Sequence, residues 1–153
     1  MRLKTKHKII ADIKEIDPET DITVAFLEYL SRDGSIRSFS RGNRVYYDLE
    51  YLIRDINYLL GMRDRKELPR IRTVHGAYSY TASLEMGLSR QLVCELGKYD
   101  YIPSIHIGNR TYVALESFDK ENEERLTNII FEHKYSKPSE ELKCSMVTDR
   151  RYR

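Results

Sequence analysis

The chain has 153 residues, 41% apolar and 33% charged, enough for one medium domain or two very small ones with a heavily solvated surface. Its 26 basic and 24 acidic residues nearly cancel, so net charge alone points to no polyanionic partner. No apolar run approaches the roughly 18 residues of a membrane span.

Taken in chain order, the spacing predicts a helix over about 7–16, a turn through Asp17-Pro18-Glu19-Thr20, and a second helix over 22–32. Asp21 or Thr20 would cap that second helix and Asp33-Gly34 would close it. A β-hairpin follows, in which Ile36 to Arg41 and Val45 to Tyr47 flank Gly42-Asn43. Gly-Asn suits a tight two-residue loop because both residues tolerate positive φ. That register sets Phe39 opposite Tyr46 and puts Arg41 and Arg44 at the tip. Behind Asp48, an expected N-cap, Leu49, Leu52, Ile53, Ile56, Leu59 and Leu60 recur at helical spacing until Gly61. Residues 62–72 carry five basic residues against two acidic ones and read as a basic linker.

Beyond it, Ser79 to Gly87 predict a short helix ended by glycine. Ser89 is then a good cap for a helix over 90–98 whose apolar side is Leu92, Val93 and Leu96. In a second hairpin, Ile102 to Ile107 and Thr111 to Val113 flank Gly108-Asn109, with Ile105 opposite Tyr112 and Arg110 at the tip. A last helix is expected from about Leu115 to His133, with Phe118, Leu126, Ile129 and Ile130 on its apolar side. The polar, basic tail over 135–153 is expected to be mobile.

The chain repeats itself at a spacing of 66. Arg41-Gly42-Asn43-Arg44-Val45-Tyr46 falls on Ile107-Gly108-Asn109-Arg110-Thr111-Tyr112, and Leu30, Ile36, Ser38 and Leu49-Glu50 meet Leu96, Ile102, Ser104 and Leu115-Glu116. Nine of 32 positions are identical between 21–52 and 87–118, where unrelated sequences of this composition give roughly two. The expected fold is therefore mainly α with small β-hairpins, an α+β chain of two tandem modules. Copy one spans 1–61, the linker 62–72, copy two with an extended final helix 73–134, and the tail 135–153. The two copies could also pack on each other as a pseudo-dimer.

Helix, turn, helix, hairpin and helix in that order resemble the winged helix-turn-helix of the MerR and excisionase-like proteins. In copy two the resemblance is carried by Gly87-Leu88-Ser89-Arg90-Gln91-Leu92-Val93, Ile102-Pro103, Ile107-Gly108-Asn109-Arg110 and Leu115-Glu116-Ser117-Phe118. In copy one it is carried by Gly34-Ser35-Ile36, Arg41-Gly42-Asn43-Arg44 and Leu49 to Leu52, while no glycine precedes Ile22. The resemblance implies double-stranded DNA as partner, with the second helix in the major groove and the wing on backbone or minor groove. It implies a transcription regulator or a recombination directionality factor of a mobile element or phage. A protein-interaction adaptor and a DNA-packaging or replication subunit are the alternatives.

Carried over, the outward positions of copy two's second helix are Arg90, Gln91 and Cys94. Arginine and glutamine can bond guanine and adenine edges in pairs, and Ser89 can meet phosphate. Copy one has Val24, Ala25 and Glu28 there, but a more basic wing of Arg37, Arg41 and Arg44, with Arg32 nearby. Copy two is thus expected to read sequence, with Asn109 and Arg110 at its wing tip. Copy one, with Asn43 between its tip arginines, would grip phosphate or pack on a partner. That partner is expected to be a recombinase or another protein, and two chains could pair through the last helix.

Other chemistries find no support. His7, His75, His106 and His133 lie far apart without HExxH or a Cys-His zinc spacing, and neither GxxxxGK[ST] nor GxGxxG occurs. No catalytic residue, cofactor or metal ion is expected. The basic start, Met1 to Lys8, lacks the apolar segment of a secretory signal because Asp12, Lys14 and Glu15 interrupt it. With Cys94 and Cys144 too few for a disulfide framework, a cytoplasmic location is expected.

Overall fold

Short strands need neighbours, and each hairpin finds a third strand that local sequence does not announce. The computed structural model describes residues 1–135. Its first sheet has the order β1-β3-β2, from β1 (Lys4–Thr5), β2 (Phe39–Arg41) and β3 (Arg44–Tyr47). The second has the order β4-β6-β5, from β4 (Ile71–Thr73), β5 (Ser104–Ile107) and β6 (Arg110–Ala114). Both are antiparallel. The helices are α1 (Lys6–Ile16), α2 (Val24–Arg32), α3 (Leu49–Leu59), α4 (Val74–Ser83), α5 (Arg90–Lys98) and α6 (Glu123–Tyr135). The chain is mixed α+β, and each half runs strand, helix, helix, hairpin, helix. None of the described helices is long and apolar enough to cross a membrane.

The hairpins have the expected register, Phe39 opposite Tyr46 and Ile105 opposite Tyr112. Only the glycines take positive φ, +61° at Gly42 and +59° at Gly108, so the loops follow the II′ pattern with glycine first. The repeat is in register from strand to strand. Thr5 pairs with Tyr46 as Thr73 pairs with Tyr112, and Lys4 with Tyr47 as Arg72 with Val113. From Thr5 to Thr73 the offset is 68, while from Thr23 to Ser89, the caps of α2 and α5, it is 66. The span from cap to cap is thus two residues longer in the first half, one residue in α1 and one in the turn after it.

Several boundaries differ from expectation. α2 is capped by Thr23, whose oxygen accepts from the Phe26 N–H at 3.2 Å, because Thr20 is used inside the turn, accepting from the Ile22 N–H. α4 starts at Val74 rather than Ser79, since Thr73 leaves β4 extended and its oxygen accepts from the Gly76 N–H at 3.3 Å. After α4 the left-handed residue is Glu85, at φ +57°, not Gly87. The single helix expected from Leu115 is broken into two 3-10 turns, Leu115–Ser117 and Lys120–Asn122, before α6. Asp119 causes the restart: its carboxylate accepts from the Glu121 and Asn122 N–H groups while Asn122 Oδ1 accepts from the Asp119 N–H. The side chains of α6 from Ile130 on and the tail from residue 136 lie outside the described residues, so the expected pairing of two chains through the last helix falls largely there.

The stretch read as a linker is instead a seam. Leu68, Ile71 and Arg72 are buried, and residues 71–73 are the strand β4. Buried Asn57 on α3 donates to the Arg65 and Glu67 carbonyls at 3.1 and 2.9 Å, and Glu116 accepts from the Arg70 N–H and Nε, each at 3.0 Å. Arg72 forms a buried ion pair with Asp17 of the first half at 2.6 Å, and Asp21 accepts from the Thr73 N–H at 2.8 Å.

Strand β6 serves two cores through its pleat, since alternate residues face opposite sides of a sheet. Tyr112 and Ala114 join Ile9, Ile13, Phe26, Leu27, Leu52 and Ile56 in the first core, with Ile71 and Ile105. Val113 joins Ala77, Val93, Leu96, Phe118 and Leu126 in the second. The Phe26 and Tyr112 rings meet edge to face, 5.0 Å between centroids. The two halves therefore pack on each other.

Candidate nucleic-acid interface

In the second half the site begins at the α5 cap. The Ser89 oxygen accepts from the Leu92 N–H at 3.1 Å, which leaves the hydroxyl hydrogen available to an outside acceptor. Val93 and Leu96 turn the helix toward the core. Gly97 lets it come close, since a Cβ there would lie 2.8 Å from Val74 Cγ1 and 3.0 Å from Val113 Cγ1. Arg90 and Gln91 are left exposed. The Arg90 guanidinium sits 5.3 Å from the Tyr78 ring centroid, a contact that restrains the arm without consuming its N–H donors. Gln91 Nε2 donates to Glu95 Oε1 at 3.2 Å along the helix. On the same outward side, half-buried Cys94 has its thiol pushed up by burial, against the pull of the Arg90 and Lys98 cations.

The second wing exposes Asn109 and Arg110 at its tip. Its root is fastened by His106, whose Nε2 lies 2.8 Å from Asp100 Oδ1 and whose Nδ1 lies 3.1 Å from Thr111 Oγ1.

The first half is arranged differently. On α2, Val24 and Ala25 stand where α5 has Arg90 and Gln91, and Glu28 pairs with Lys6 at 3.6 Å. At the wing tip Arg41 and Arg44 are directly opposite one another and exposed, beside exposed Asn43. Like charges facing across a ladder are destabilising, and neither arginine has an acidic partner among the described residues, so an anion here relieves the pair. A cleft of about 520 Å³ runs from this wing to the start of α1, lined by Lys6, His7, Arg32 and Arg44, with Glu28 the acid among its lining residues. Lys6 and His7 were not anticipated as site residues. The acid-free basic run at residues 1–8 was the available signal, but only the pairing of β1 with β3 brings it to the wing.

Arg37 stands apart from the other wing arginines. It is bound to Asp55 through its guanidinium, 2.8 Å from Nη2 to Oδ1, and through its backbone N–H, also 2.8 Å. It also lies 4.2 Å from the Tyr51 ring centroid. The hydrogen bond to Asp55 holds the Arg37 cation more firmly protonated, so this arginine is spent inside the molecule. The same is true of Arg65, Arg70 and Arg72 in the seam. The structure thus groups Ser89, Arg90 and Gln91 on one helix end, Asn109 and Arg110 on one wing, and Arg41, Asn43 and Arg44 on the other.

Set against protein-family models, curated proteins and solved structures, the chain matches none of them.

Proposed function

We propose that the chain binds double-stranded DNA with sequence preference through two tandem winged helix-turn-helix modules. It would act as a transcription regulator or an excisionase-like recombination directionality factor. The observation that supports this best is the repeated layout, in which each half follows a capped second helix with a two-residue hairpin whose exposed tip reads Asn-Arg. In this reading α5 enters the major groove, where Arg90 and Gln91 pair with guanine and adenine edges. Ser89, Asn109 and Arg110 meet the backbone. Arg41, Asn43 and Arg44, with Lys6 and Arg32 in the adjoining cleft, hold phosphates and set the register without reading bases.

Titrating a short duplex with the protein across a salt series tests this. Counterion release makes affinity for DNA fall steeply as salt rises. Absence of binding at low salt overturns the reading. It would leave the protein-interaction adaptor, which the half-buried Val24 and the exposed Ala25 and Tyr29 of α2 favour.

A further inference from the structure

The seam between the halves joins two different surfaces. One is the turn that ends α1 together with Phe26 of α2, and the other is the face of β4-β6-β5 that carries Ile71, Ile105 and Tyr112. Because the halves repeat, the chain carries one more version of each surface, and neither is used in the seam. The spare sheet face is that of β1-β3-β2, with Leu3, Phe39 and Tyr46 at the places of Ile71, Ile105 and Tyr112. The spare turn is that between α4 and α5, with Leu92 at the place of Phe26.

Burial separates the used surfaces from the spare ones. Ile71, Ile105 and Tyr112 are 0%, 6% and 4% exposed, whereas Leu3, Phe39 and Tyr46 are only half-buried. Phe26 is 1% exposed and Leu92 half-buried. Charge is conserved between them as well. The seam centres on Asp17, twelve residues after Thr5, paired with Arg72. At the same count in the second half stands Glu85, twelve after Thr73 and one residue past the Leu84 cap of α4, whereas Asp17 itself caps α1; Lys4 matches Arg72 in the sheet. Glu85 is exposed and has no partner among the described residues, and the Lys4 side chain is 36% exposed beside Asp12.

We propose that the spare surfaces meet between molecules. The α4–α5 turn of one chain docks on the β1-β3-β2 face of a second copy, with Glu85 against Lys4, repeating the internal seam head to tail. Such a contact joins unlike surfaces and does not close on itself, so it builds an open series rather than a two-fold dimer. It is weaker than the internal seam, because the Gly87 N–H is held by Glu123, whereas Asp21, at the corresponding place, donates its N–H to Ile71 in the seam.

Sedimentation equilibrium of the full chain without DNA tests this independently of any DNA binding. The expected result is a mass average that climbs steadily from monomer through dimer to larger species between micromolar and submillimolar protein. Glu85→Lys, at an exposed unpaired position, should weaken association on the order of tenfold or more, since like charges then face each other. Lys4→Glu should do the same, and an equimolar mixture of the two variants should associate again. A wild-type chain monomeric at every concentration overturns the proposal. So does a Glu85→Lys chain that associates as strongly as wild type, or a mixture that stays monomeric.

Discussion

Tyr46 and Tyr112 occupy the same place in the two halves, opposite Phe39 and Ile105 in hairpins of identical register. Tyr112 is buried under Phe26, while Tyr46 is half-buried and belongs to neither core. Arg72 and Lys4 are likewise matched, one in a buried ion pair and the other in a partly exposed one. The difference teaches that a repeated residue has no fixed energetic weight. What the other half lays on top of it decides.

Substitutions at matched positions sharpen that contrast. Tyr112→Ala should cost ~3–5 kcal/mol, since it opens a cavity in a core shared by both halves. Tyr46→Ala should cost about 1 kcal/mol, and urea unfolding of the two variants measures the gap. Equal losses would deny the asymmetry. Next, Asp17→Ala leaves Arg72 charged and buried without a partner, worth ~3 kcal/mol in thermal or urea melts. Asp12→Ala, which strands the more exposed Lys4, should cost ~0.5 kcal/mol.

At the interface the expected losses are about 1–3 kcal/mol of discrimination for each base-reading side chain. Arg90→Ala with Gln91→Ala should therefore bring affinity for a preferred duplex toward that for random DNA. Arg41→Ala with Arg44→Ala should weaken both duplexes alike and flatten the salt dependence, by about one phosphate's worth per arginine. The smallest contrast lies at the caps. Thr73→Ala should cost ~1 kcal/mol because its oxygen accepts from the Gly76 N–H, while Thr5 makes no such bond and Thr5→Ala should cost ~0.3 kcal/mol.

The hairpins were legible because Gly-Asn fixes loop length and loop length fixes register. α5 was legible because Ser89 and the spacing of Leu92, Val93 and Leu96 agree on one helix. β1 and β4 were not, being two and three residues long and strands only because β3 and β6 lie beside them. The start of α4 was hidden for the same reason, since Val74-His75-Gly76 has little helical pattern and Gly76 lies against Asp21 from elsewhere in the chain. The role of Arg37 could not be read locally, because its partner Asp55 comes from the following helix. The seam cations read as a basic linker for as long as Asp17 and Glu116 were out of view. Composition shows which charges exist, and folding decides which are spent internally.

Selection of bound duplexes from random DNA by the wild-type chain, by Arg90→Ala/Gln91→Ala and by Arg41→Ala/Arg44→Ala tests the division of labour most directly. Wild type and the wing variant should enrich the same motif, the wing variant from a smaller bound pool, and the α5 variant should enrich none. Recovery of that motif by the α5 variant, or no enrichment by wild type, would contradict it.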